Sequence, residues 1–125
     1  MSYNYPDQDL DLTLLHEIAD GSDEFIIESI GMFLQQTPGL VNEISNLIAQ
    51  GDWPNAGTTA HKLKPTLGFF GMLSTQALVQ QVEHACKAGG ENPQEITDKF
   101  NQVKVALATN MTTLYKIKVE KTAGL

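Results

Sequence analysis

Residues 53–72 read W-P-N-A-G-T-T-A-H-K-L-K-P-T-L-G-F-F-G-M. Trp53, Ala56, Ala60, Leu63, Leu67 and Phe70 recur at spacings of three and four, the period of a helix with one apolar face. On a helical wheel these positions cluster within about 100°. Asp52 stands where an N-cap is wanted, and Gly71 marks the turn at the far end. His61 points roughly 120° away from the centre of the apolar face. Gly57, Lys64 and Gly68 lie on its side of the helix, at i−4, i+3 and i+7. A glycine inside a helix costs about 1 kcal/mol relative to alanine. Two of them bracketing one histidine therefore argue for clearance around an accessible imidazole, with Lys64 expected to be exposed beside it.

The flanking segments carry the same period. Leu14, Leu15 and Ile18 predict a short first helix ending near Asp20-Gly21. Ser22 can cap the next one, and Asp23 and Glu24 suit its positive end. Ile26, Ile30, Phe33, Leu34, Leu40, Val41, Ile44, Leu47 and Ile48 form its stripe. Because the stripe continues across Thr37-Pro38-Gly39, one kinked helix is favoured over two, and Gly51 ends it. A further helix is expected from about Met72 to Ala88, with Leu78, Val82 and Ala85 inward and Gly89-Gly90 as its stop. Asn92-Pro93-Gln94-Glu95 forms a capping box with proline at the first helical position. Ile96, Phe100, Val103, Leu107, Met111 and Leu114 line the last helix. Short connections between long amphipathic helices imply antiparallel neighbours. The expected fold is all-α: a four-helix up-and-down bundle with a short N-terminal helix, in one domain over 1–125, with flexible tails over 1–9 and 120–125.

The chain has 125 residues, 42% apolar and 18% charged, which suits one core and argues against disorder. Its net charge is −7, and residues 1–60 hold ten Asp and Glu but no Lys or Arg. The first cations are Lys62 and Lys64, beside His61, and arginine does not occur. A basic stripe for nucleic acid or an anionic membrane is missing. No apolar run reaches the ~18 residues of a membrane span, and the N-terminus lacks signal-peptide character. The single cysteine, Cys86, excludes an internal disulfide, and a cytoplasmic location is expected. His84 and Cys86 alone cannot make a metal site, and nothing resembles a nucleotide-binding loop.

The spacing His61, Leu63, Lys64 and Gly71 resembles the motif of histidine-containing phosphotransfer (HPt) domains. There a His is followed by an apolar residue at +2, Lys at +3 and Gly at +10. The likeness extends over most of the chain, through A-H-K-L-K, the D-E-F-I-I…F-L-Q-Q-T-P pattern of the long helix, and Val82-Glu83. The resemblance implies that His61 is phosphorylated and that Lys64 contacts the phosphoryl group. Gly68 would occupy the small position one turn beyond, and Gly71 would end the helix. Glu83 falls where the family places Glu or Gln, either to orient the imidazole or to close the helix pair. Pro65 departs from the small residue usual there. It lacks the N–H that would bond the His61 carbonyl, so a local kink is expected.

The function so implied is a phosphorelay carrier that exchanges a phosphoryl group with aspartyl-phosphate receiver domains of response regulators or hybrid kinases, as a monomer. It would have no kinase activity and bind no cofactor; the receiver would supply Mg²⁺. A non-phosphorylated helical adaptor that docks a receiver or another protein is the alternative. The intact His61-Lys64 pair favours the carrier.

Overall fold

The computed structural model describes residues 3–125. Two short antiparallel strands, β1 (Asn4–Tyr5) and β2 (Leu10–Asp11), lead into five helices. These are α1 (Thr13–Ala19), α2 (Asp23–Gln50), α3 (Trp53–Phe69), α4 (Leu73–Lys87) and α5 (Pro93–Ala123). Helix α2 packs on α3 and α5, and α4 packs on α3 and α5, so the four long helices close a ring around one core. Each connection within the ring is only a few residues long, which sets successive helices antiparallel.

Local signals place the helix ends. The Ser22 side chain accepts from the Phe25 N–H at 3.1 Å, and that of Asp52 accepts from the Asn55 N–H at 3.4 Å. Asn92 accepts from the Glu95 N–H at 3.2 Å, with Pro93 opening α5. Glu95 returns to the Asn92 side chain at 3.3 Å instead of its backbone N–H, so the box is only half closed. Helix α2 runs unbroken through Pro38, and Thr37 is buried within it rather than capping a second helix. Helix α3 likewise runs unbroken through Pro65.

Two expectations change at the N-terminal end. In α1 the buried residues are Leu15 and Ala19, while Leu14 and Ile18 are exposed. A seven-residue helix that touches the bundle along one line has room for a single i, i+4 pair on its inner face. Residues 3–9, expected within a flexible tail, are tied down; residues 1 and 2 lie outside the described residues. The Asp9 carboxylate accepts from the Ser74 and Thr75 N–H groups at 3.1 and 2.6 Å, capping α4 from a distant part of the chain. Asn110 of α5 donates to the Asp9 carbonyl at 2.8 Å and accepts from Gln8 at the same distance. Tyr3 stacks on His16 with ring centroids 3.6 Å apart. At the other end the helix continues to Ala123, well into the expected 120–125 tail.

Gly71 owes its identity to this end of the molecule. Its φ is +67°, which favours glycine, and a Cβ there would collide with the Asp11 backbone. It is both a helix terminator and the floor on which the N-terminal hairpin lies.

Candidate functional site

Helix α3 buries the small residues Ala56, Gly57 and Ala60, and Gly57 lies against Lys87, Cys86 and Glu83 of α4. Small side chains let the two backbones approach, and the approach brings α4 side chains under His61. Glu83, on α4, is the centre of the arrangement. Its side chain is only 3% exposed, yet it is a carboxylate.

Three groups converge on it. His61 Nδ1 lies 2.8 Å from Glu83 Oε2. Lys87, one turn further along α4, places its Nζ 2.5 Å from the same oxygen. Lys64 Nζ stands 2.5 Å from Oε1, at an angle outside hydrogen-bond geometry, and Oε1 accepts no hydrogen bond among the described residues. Burial pushes the Glu83 carboxyl up, but the contacts of Lys64, Lys87 and His61 outweigh it and bring its pKa down from 4.5 to about 2. Glu83 is therefore ionised at neutral pH and can only accept. The proton of a neutral His61 ring then belongs on Nδ1, which leaves the Nε2 lone pair free. The His61 side chain is 63% exposed, so that nitrogen can be approached.

His61, Lys64, Lys87 and Glu83 thus form one cluster. Glu83 hydrogen bonds the imidazole and, through His61 and Lys64, joins α4 to α3. Lys64 differs from expectation. Its side chain is 18% exposed, drawn inward by the buried carboxylate instead of standing free beside the ring.

The glycines differ more. Gly57 is buried, and a Cβ on it would meet Lys87 Cγ at 3.1 Å and Cys86 Cβ at 3.4 Å. It serves close packing of α3 on α4, not access to His61. Gly68 lies beneath the Gln76 side chain, whose Nε2 would be 2.7 Å from an added Cβ and which donates to the Lys64 carbonyl at 2.9 Å. The clearance inferred from the sequence is filled, because α4 supplies the side chains that α3 omits. Gly71 is taken up by the hairpin and α1 entry.

Lys87 is the site residue that the sequence reading missed. The signal available was its i, i+4 spacing from Glu83, the ordinary spacing of a helical ion pair. His16 and His84 take no part in the cluster. Among the described residues, no group of three or more His, Cys, Asp or Glu could hold a metal ion, and no helix is long and apolar enough to cross a membrane.

The four long helices form an antiparallel bundle that carries one exposed imidazole hydrogen bonded to a buried carboxylate. The Hpt domain family model matches residues 28–114, which span α2 to α5 and all four members of the cluster, and the chain belongs to that family. No curated protein and no solved structure matches it. Hpt domains are phosphorelay carriers of two-component signalling; they are not kinases, and they interact with receiver domains of response regulators.

Proposed function

We propose that His61 accepts a phosphoryl group from the aspartyl phosphate of a receiver domain and donates it to another. The observation that carries this reading is the hydrogen bond between His61 Nδ1 and Glu83, which leaves Nε2 as the accessible nucleophile. The Nε2 lone pair attacks phosphorus, the P–O bond to the aspartate breaks, and its electron pair returns to the carboxylate. The Nδ1 proton stays in place, so the ring becomes a phosphorylated imidazolium. Glu83, already ionised and 2.8 Å from Nδ1, opposes the charge that develops there.

Lys64 stabilises the phosphoryl oxygens, over which the loose transition state spreads negative charge. In this role its ammonium, with three N–H donors, turns from Oε1 of Glu83 toward those oxygens. Mg²⁺ and the acidic pocket belong to the receiver. Glycines 57, 68 and 71 shape the site through packing: they set the α3–α4 distance, admit Gln76 and seat the hairpin.

The test is label transfer from a phosphorylated receiver. His61→Gln abolishes transfer, while His16→Gln and His84→Gln retain it, and the bound label is lost in acid as phosphohistidine is. Undiminished transfer to His61→Gln refutes the assignment; docking of a receiver without any transfer to the wild type supports the adaptor instead.

A further inference from the structure

The two lysines on Glu83 are not equivalent. Lys64 faces Oε1 alone, whereas Lys87 shares Oε2 with His61 Nδ1. Lys64 belongs to the histidine's own helix, one turn from the ring; Lys87 belongs to the helix of the carboxylate. Lys64 can therefore swing off Oε1 without disturbing the Oε2 contacts, and Lys87 cannot leave Oε2 without loosening the group that orients the imidazole. The fit of Lys87 is also built. A Cβ at position 57 would stand 3.1 Å from Lys87 Cγ, so Gly57 lets the lysine stem lie close against α3. By contrast Lys99, at the same i, i+4 spacing from Glu95, pairs with a carboxylate that is itself exposed.

We propose that Lys87 is a positioning residue: it keeps Glu83 on His61 Nδ1 while Lys64 turns from Glu83 to the phosphoryl group. At rest both ammonium groups share one buried carboxylate. Loading adds an imidazolium and a phosphoryl dianion, and the cluster is neutral only when both lysines are present. With Lys87 gone, Lys64 is the only lysine left to share between Glu83 and the phosphoryl group, and the imidazolium alone does not neutralise both. The inference rests on His61 as the phosphoacceptor.

Phosphoramidate, a small donor that passes phosphoryl from its own nitrogen to an imidazole, loads the protein without a receiver. Wild type, Lys87→Met, Lys87→Arg and Gly57→Ala are compared, with His61→Gln as the site control. Phosphohistidine is followed by ³¹P NMR and the His61 ring nitrogens by ¹⁵N NMR. Unloaded Lys87→Met keeps the Nδ1–H signature, because Lys64 still holds Glu83. Once loaded, its Nδ1–H stays on the ring but with a weaker hydrogen bond to Glu83, and the less compensated imidazolium sheds phosphoryl about tenfold faster than wild type. Lys87→Arg restores both, and Gly57→Ala, which displaces the lysine stem, falls between.

Equal lifetimes of loaded wild type and Lys87→Met overturn the inference, as does loss of the signature already in the unloaded variant. Wild type that takes up no phosphoryl on His61, or uptake that persists in His61→Gln, defeats the phosphoacceptor assignment itself and this inference with it.

Discussion

Along the α2–α5 pair the buried positions are mostly large and apolar: Ile26, Ile30, Phe33, Ile44 and Ile48 on one helix, Phe100, Val103, Leu107 and Leu114 on the other. Along α3–α4 small and polar residues join them: Ala56, Gly57, Thr59 and Ala60 on α3, Thr75 and Glu83 on α4. The long pair removes bulk apolar surface from water, the term that drives folding. The short pair gives up some of that burial to bring two backbones close and to hold an ion cluster. A buried carboxylate is costly unless it is fully partnered. Here the partners are the groups to which the proposed function assigns the chemistry, and that proposal gives the cost of the site and its function one cause. The rest of the bundle supplies the stability that makes this tolerable.

Substitution in each half should separate the two roles. The largest effect on folding belongs to the long pair: Phe100→Ala should cost about 3–5 kcal/mol by leaving a cavity. Phosphotransfer below the melting transition should be nearly unchanged. Thermal unfolding and label transfer on the same variant check this; a large loss of transfer in the folded variant would break the division.

In the short pair, Glu83→Gln should cost about 1–3 kcal/mol at neutral pH and slow transfer at least tenfold, because a buried charge-assisted contact is lost. Its pH dependence is diagnostic. The carboxyl is depressed in the folded protein, so its contribution is fully present above 4.5 and is lost as the pH falls toward about 2. The stability gap between wild type and Glu83→Gln should therefore close across that window. A gap that persists at pH 2 would mean that shape rather than charge makes the contact.

Lys64→Ala should slow transfer about 10–100-fold, or roughly 1.4–2.7 kcal/mol in the barrier. The covered position of Lys64 adds a measurable fall in melting temperature, smaller than that of Glu83→Gln because Lys87 still holds the carboxylate. A variant that transfers normally but is strongly destabilised would make Lys64 purely structural.

Gly68→Ala should have the smallest effect, within about 0.5 kcal/mol. The gain in helix propensity is set against displacement of the flexible Gln76 amide. Gly68→Glu should reduce transfer without unfolding the bundle, read by circular dichroism alongside label transfer. Wild-type transfer by that variant would show that partners do not approach over this part of α3.

The sequence by itself determined the bundle and singled out the histidine that lies against Glu83. Ser22, Asp52, Asn92 and Gly51 act on backbone groups within about four residues, and the apolar stripes of α2, α3 and α5 repeat every turn, so these features are written locally. His61, Lys64 and Glu83 were legible through the spacing that resembles the HPt motif. Only the tertiary structure decided what meets what. The inward turn of Lys64, the sharing of Glu83 by Lys87, the filling of Gly57 and Gly68 by α4 side chains, and the hairpin lying on Gly71 all depend on how two helices are set against each other. That setting is fixed by the packing of the whole core, to which every helix contributes, and no window of neighbouring residues contains it.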